Sequence, residues 1–444
     1  MAFSFNVMNM RMKLQNFAGK VILLVLFTSM PIYLIAADGP YTLDECLNKA
    51  ESSNPELLRE KEIYSEYQNG YSASRGALLP QVDASLVYQR YEEQLPSKKA
   101  LFGPSLDDYY SDVSLKQMLF SGGKFMAQLR SSRAMVDAQQ QRVEQIHRDL
   151  TLSINKAYFE QLRALHALEI QKNVLEKLSQ QRVVAQLLYN GGKTSVVDVL
   201  RIQTNESAQQ DAVKNAENQV YVKALALGQA MGVKAPVEAA LSMPRVNEAA
   251  VYEKEIPEAV LDANPRMLYA AKTIEKNNFE VAAAKAEHYP AIYLKGVIFK
   301  EDKMLSPNDT NSYAGLFLSL PIYRGDSLSA QTDKARSRSR QAQETARETR
   351  LSLYARYASA VSVALDKKDR LSTSAKTVDL ARETWTASEL RYSSGKISVV
   401  DLLDAQNLWS NANLSYINLV FDYLESAAEV KAIWPDAIKG DILK

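Results

Sequence analysis

Apolar and polar residues alternate one for one in four short stretches of this chain. Residues 82–88 put Val82, Ala84, Leu86 and Tyr88 on one face and Asp83, Ser85 and Val87 on the other. Around 109–120, Val113, Leu115 and Leu119 alternate with Asp112, Ser114 and Lys116. Ile292, Leu294 and Ile298, then Leu316, Leu318 and Leu320, repeat the pattern further on. Period-two alternation predicts strands, and about ten residues is what a tilted strand needs to cross a bilayer. Tyrosine and phenylalanine gather at the strand ends (Tyr88, Tyr91, Tyr109, Tyr110 and Phe120; Tyr289, Phe299, Tyr313 and Tyr323), as in the aromatic girdles of membrane barrels. Polar loops near 93–108 and 301–310 join the strands in pairs.

Each hairpin is followed by a very long run, 124–190 and 326–394, with neither glycine nor proline. Both runs interleave Ala, Leu and Val with Gln, Ser and charge. They predict helices of roughly 100 Å that pack laterally in a bundle or coiled coil. Returning helices follow from Ser195 and Ser398. Upstream, Asn54-Pro55 and Asn264-Pro265 read as helix starts, and Pro80 and Pro290 as helix ends. The chain therefore reads twice in the same order: helix, strand, strand, very long helix, turn, long helix.

The repeat is sharpest at the turns. Tyr189-Asn-Gly-Gly-Lys-Thr-Ser-Val-Val-Asp-Val-Leu-Arg-Ile-Gln203 recurs 203 positions later as Tyr392-Ser-Ser-Gly-Lys-Ile-Ser-Val-Val-Asp-Leu-Leu-Asp-Ala-Gln406, with nine of fifteen residues identical. Gly192 and Gly395 stand where a helix must stop in a left-handed cap. Ser195 with Asp198, and Ser398 with Asp401, fit capping boxes that start the next helix. Asp404 lies outside the box and faces the same side as Asp401, where the first copy has Arg201.

The boundaries that follow are 1–37, 38–232, 233–256, 257–435 and 436–444. Residues 1–37 read as a secretory signal: Arg11, Lys13 and Lys20, an apolar stretch 21–35, and small Ala36-Ala37. The first repeat, 38–232, holds a β-hairpin at about 81–120 and a helical hairpin at about 122–231. A proline-containing linker or equatorial segment, 233–256, separates it from the second repeat, 257–435, with a β-hairpin at about 291–321 and a helical hairpin at about 325–434. Residues 436–444 form a C-terminal tail.

Charge is nearly balanced, 53 Lys and Arg against 52 Asp and Glu, which speaks against a nucleic-acid partner. The single cysteine, Cys46, rules out an intramolecular disulfide. It lacks the small preceding residue of a lipoprotein signal. His147 and His166 fall on different faces of one helix, and Ser121-Gly-Gly-Lys124 is better explained as a strand-to-helix turn than as a phosphate loop. The basic positions between Lys334 and Arg350 spread around a helix. No nucleophile–base pair, metal site or cofactor motif stands out, and no enzyme is read here.

The order of elements, the two Gly-x-x-Ser-x-x-Asp turns, the Leu-Leu-Pro80 and His-Tyr-Pro290 helix exits, and the Leu-Phe-Ser-Gly-Gly123 and Ile-Tyr-Arg-Gly325 strand exits resemble the TolC-like outer membrane efflux family over residues 41–434. The resemblance implies a mainly α fold with a transmembrane β-barrel portion. It implies a homotrimer: a 12-stranded barrel in outer membrane lipid, continued by an α-helical periplasmic tunnel. Its role would be passive export, as the exit duct of a tripartite efflux or type I secretion system with a periplasmic adaptor and an inner-membrane pump. Asp401 and Asp404 would ring the pore constriction, and Tyr392 and Asp198 would form the closed-state latch. Gly192, Lys193, Ser195, Gly395, Lys396 and Ser398 would meet the adaptor at the tip. Ile397 stands where the family has an arginine that helps close the tip, with Lys396 beside it. The competing reading from pattern alone is a structural or adhesive coiled-coil protein of the envelope.

Overall fold

A computed structural model describes residues 39–93, 96–243, 246–247, 250–302 and 310–439. The expected signal segment, 1–37, and most of the final tail lie outside them. Residues from Tyr41 onward form one compact unit.

The first half opens with α1 (Leu43–Ser53) and α2 (Pro55–Gly76), then strand β1 (Gln81–Arg90), a short helix α3 (Pro96–Phe102) and strand β2 (Asp107–Phe120). Helix α4 (Lys124–Asn190) runs for 67 residues, and α5 (Val196–Met231) returns. After β3 (Val251–Tyr252) and α6 (Glu258–Asp262), the second half repeats the plan. It comprises α7 (Pro265–Ala286), β4 (Ala291–Asp302), β5 (Asn311–Ser319), another 67-residue helix α8 (Ser327–Ser393), and α9 (Val399–Ile433). A 3-10 turn, Pro435–Ala437, and β6 (Ile438–Lys439) end the described chain.

The Asn-Pro pairs have matching roles in the two halves. Asn54 accepts from the amides of Glu56 and Leu57, capping α2, while its amide donates to Ala230 at the end of α5 at 2.8 Å. Asn264 accepts from the amide of Arg266 and donates to Ile433 at the end of α9 at 3.3 Å. One side chain thus starts a helix and ties it to the end of the returning helix of its own half. Glycine is required beside this joint: Gly232 has φ of +78°, and a Cβ there would lie 2.5 Å from the Ser53 carbonyl.

The two hairpins share one antiparallel sheet in the order β1-β2-β4-β5. Its central pairing joins the halves, Val113 opposite Ile298 and Leu115 opposite Gly296. Register puts Val82, Leu86, Val113, Ile298, Leu316 and Leu318 on one face. That apolar face is open: Leu86 is 65% exposed and Leu318 69%. The other face carries Asp83, Ser85, Asp112 and Lys116, with Ser85 donating to Asp112. The loop expected at 93–108 instead contains α3, whose Lys98 is paired with Asp108 of β2 and Glu301 of β4, each at 2.5 Å. Those two carboxylates hold the Lys98 ammonium well above its ordinary pKa.

The stretch between the repeats, 233–256, expected as a linker or equatorial segment, packs against the helices. Val237, Ala239, Ala250 and Tyr252 are buried, and β3 pairs with β6 of the tail. Gln161 of α4 accepts the Ala239 amide, and Tyr252 donates to Tyr423 of α9 at 3.0 Å. Tyr357 and Lys368 of α8 donate to the carbonyls of Glu253 and Ala250.

A belt of charge also links these helices. Arg163 of α4 reaches Asp422 and Glu425 of α9 at 2.9 Å each, and Lys223 of α5 reaches Glu160 of α4 at 2.8 Å. Lys367 of α8 pairs with Asp422, while Lys156 and Arg356 share Glu429. Burial would raise Glu160, but Lys223 and Arg163 outweigh it and hold the carboxyl low. Burial pushes Glu425 up to about 7, with Arg163 opposing and Glu160 and Asp422 reinforcing the rise. The folded chain therefore holds a proton at Glu425 more tightly than the unfolded chain, and this site costs stability as pH rises from about 4.5 to about 7. Glu425→Gln keeps the neutral form. It is expected to raise stability at pH 8 by about 1 kcal/mol, a figure reduced for solvent screening, and the gain should shrink towards zero by about pH 4.5. Thermal melts across that pH range check the sign.

Candidate functional site

Both turns are closed by the same backbone chemistry. The amide of Lys193 donates to the Leu188 carbonyl at 2.8 Å and that of Gly192 to Tyr189 at 2.9 Å. Lys396 and Gly395 repeat this with Arg391 at 2.9 Å and Tyr392 at 2.8 Å. This is the Schellman arrangement, and it needs a left-handed residue at each glycine: φ is +71° at Gly192 and +69° at Gly395. A Cβ at either would meet nothing within 4 Å, so the constraint is conformational and the turns are open to large surroundings.

Both capping boxes are formed. Ser195 Oγ accepts the Asp198 amide at 3.3 Å, and Asp198 accepts the Ser195 amide at 3.4 Å. Ser398 and Asp401 repeat the exchange at 3.2 Å in both directions. The copies then diverge. Thr194 donates a further 2.6 Å bond to Asp198, whereas the equivalent position is Ile397, so Asp401 lacks that donor. Asp198 is half-buried, while Asp401 and Asp404 are exposed. Both aspartates lie away from Val399, Leu402 and Ala405, which α9 buries.

The two turns sit on a shared small core. Ala185 of α4, Val199 and Ile202 of α5, Trp385 and Tyr392 of α8, and Val399, Leu402 and Ala405 of α9 form one cluster, separate from the main core. Trp385 stacks on Trp409 with ring centroids 4.5 Å apart, and the Lys177 ammonium lies over the Trp385 ring at 5.7 Å. Tyr392 is buried in this cluster. Burial first, then the Asp198 carboxylate, pushes its hydroxyl above the ordinary tyrosine pKa. Tyr392 and Asp198 are thus brought together within one chain, across the two hairpins. They are neighbours in charge and not a hydrogen-bonded pair: Asp198 accepts from Thr194 and Ser195, and the buried Tyr392 hydroxyl has no hydrogen-bond partner.

Gly192, Lys193, Ser195, Gly395, Lys396 and Ser398 are all exposed around the turns. Sequence reasoning passed over their apolar surroundings. Leu187 is 66% exposed and Leu390 70%, and Val196, Val197 and Leu200 are exposed beside them. The signal was present, since large apolar residues flank both turn motifs. Among the described residues no group of His, Cys, Asp or Glu is arranged to hold a metal, and no helix is long and apolar enough to cross a membrane.

Removing the cap hydroxyl by Ser398→Ala should cost about 1 kcal/mol of local stability at the start of α9. Hydrogen exchange of the amides at 399–402 is expected to speed up by about fivefold, with the first turn, at 196–199, unchanged.

The fold has counterparts in known proteins. The family model described as outer membrane efflux protein matches residues 46–233 and 256–434, one segment per repeat. The chain is 24% identical to outer membrane protein TolC of Vibrio cholerae serotype O1, over 90% of this chain and 94% of that one. It is 23% identical to the TolC protein of Escherichia coli, over 90% of this chain and 83% of the relative. The crystal structure of the Campylobacter jejuni CmeC outer membrane channel superposes with a TM-score of 0.78 at 16% identity, over 88% of this chain and 85% of that one. With both repeats matched through hairpin, helices and turn, the chain belongs to the outer membrane efflux protein family.

Proposed function

We propose that three copies of this chain close head to tail into a passive exit duct, a 12-stranded barrel in the outer membrane continued by a helical tunnel. The observation that carries this reading is that the sheet ends in two unpaired edges. Among the described residues, β1 pairs only with β2, and β5 only with β4. Unpaired backbone groups facing hydrocarbon cost several kcal/mol each, so only a closed sheet suits a bilayer. The exposed apolar face formed by Val82, Leu86, Ile298, Leu316 and Leu318 suits lipid.

The helices repeat the same polarity. α2 packs on α4, α4 on α7, and α7 on α8, while lower down α5 packs on α4, α4 on α9, and α9 on α8. The free flanks are α2 with α5 on one side and α8 on the other, matching β1 and β5. A contact between unlike edges is heterologous, and it closes into a ring when the rotation per copy allows. Three chains supply four strands each, twelve in all.

In this duct the turns form the inner tip. Asp401 and Asp404 from three chains would surround one axis and favour cations at the constriction. Tyr392 and Asp198 would act as the closed-state latch between the hairpins. Gly192, Lys193, Ser195, Gly395, Lys396 and Ser398, with the exposed leucines and valines beside them, would receive a periplasmic adaptor, and an inner-membrane pump would supply the energy.

Replacing Asp401 and Asp404 together by alanine is expected to raise single-channel conductance or weaken block by multivalent cations in planar bilayers. Unchanged behaviour would remove these residues from the constriction. A bulky residue at the open tip, Gly192→Trp or Gly395→Trp, is expected to cut chemical crosslinking to the adaptor by about tenfold. Crosslinking at the wild-type level would mean that the adaptor docks elsewhere.

A further inference from the structure

The small core behind the turns contains an anomaly that neither caps nor latch explain. Among the described residues, eight buried side-chain polar atoms have no hydrogen-bond partner, and five belong to this core. They are both amide atoms of Gln181, Oε1 of Gln406, Nε1 of Trp385 and the Tyr392 hydroxyl. Their residues are nearly sealed from solvent: Gln181 is 3% exposed, Gln406 2%, Tyr392 4% and Trp385 7%.

These groups lie along one seam. Gln181 sits on α4 between Lys177 and Ala185, one turn from each, and those two residues touch the Trp385 ring and the tip core. Gln406 follows Ala405 on α9 and is one turn before Trp409, which stacks on Trp385. The seam is where the first hairpin, carrying α4, meets the second, carrying α8 and α9. Higher in the bundle a glutamine of the same helix is used: Gln139 donates to the buried Glu60.

A buried amide without a partner loses its hydration and gains nothing in return, whereas an apolar side chain of the same shape at that position is neutral or favourable. Parting the hairpins would give these atoms water as a partner. We propose that Gln181, Trp385 and Gln406 are positioning residues of the gate. Their stranded polar atoms keep the seam from packing to full stability, and so hold the closed tip ready to part. This rests on the exit-duct reading. The residues act through the helices that carry Asp401 and Asp404 and need not touch the exported molecule.

The test uses the full chain, purified as the assembled oligomer, in planar bilayers, with Gln181→Met and Gln406→Met made singly. Each should lower the open fraction by about fivefold, the size of one unmet hydrogen bond. Each should also raise the thermal midpoint and slow hydrogen exchange at 399–409. A residue of merely structural importance would do the reverse, losing stability and leaking more. Assembled variants that conduct as much as the wild type, or whose tip exchanges faster, would overturn the proposal. If Gln181→Met fails to assemble, Trp385→Phe carries the same expectation, because it keeps a ring against Trp409 and removes only the N–H. A wild-type oligomer that passes no current would sink the duct reading and this proposal with it. A conducting wild type with unaffected variants would sink this proposal alone.

Discussion

The backbone edges of β1 and β5 are the constraint on which the rest of this structure depends. A four-stranded sheet with an exposed apolar face and two open edges has no stable place in water or in lipid as a single chain. Water would meet the apolar face, and lipid would meet unpaired amides and carbonyls. Copies of the chain resolve both problems together. Once β5 of one copy meets β1 of the next, α8 of the first is brought to α2 and α5 of the second. The tunnel is then a consequence of closing the barrel and needs no separate assembly rule.

The repeat makes that consequence workable. Both long helices have 67 residues, and the returning helices have 36 and 35. Helices of equal length starting from one sheet bring the turns at Gly192 and Gly395 to the same level. Three features fix the axial register between the halves: the central β2–β4 pairing, the packed segment 233–256, and the belt centred on Arg163. Partly buried ion pairs add little net stability, but their directionality suits them to setting register. Below the belt the hairpins are joined by a smaller core that also holds buried polar atoms without partners.

Much of this was legible in the amino-acid sequence, for physical reasons that can be named. Alternation exposed the strands because one face is largely apolar. Runs without glycine or proline exposed the long helices. The turns were readable because a left-handed cap and a capping box each demand particular residues at fixed spacing, as at Gly395, Ser398 and Asp401. The misses concern groups whose partners are distant in sequence. Helix α3 is short, and Lys98 pins it to Asp108 and Glu301, the latter 203 positions away. Residues 233–256 carry prolines and read as a linker or equatorial segment, and the pattern does not reveal that Tyr252 and Ala239 are buried against helices from both halves. Gly228 lies inside α5 because a Cβ there would meet the Ala235 carbonyl at 2.2 Å, a neighbour the local pattern does not reveal. Nothing in the local pattern at Gln181 or Trp385 says which helix each will face.

The copies of the turn motif began as evidence of duplication, and their differences now carry the functional content. Thr194 and Arg201 give way to Ile397 and Asp404, which leaves two exposed carboxylates on the second turn and one half-buried carboxylate on the first, with Ser398 Oγ taking the place of Thr194 as hydroxyl donor to Asp401. Closure of the sheet by copies is the central claim, and the most direct measurement is the mass of the unheated, detergent-extracted oligomer by native mass spectrometry. Three chains per particle are expected. A single chain that remains folded in the membrane, or a particle whose chain count cannot close the β1 and β5 edges, would contradict it.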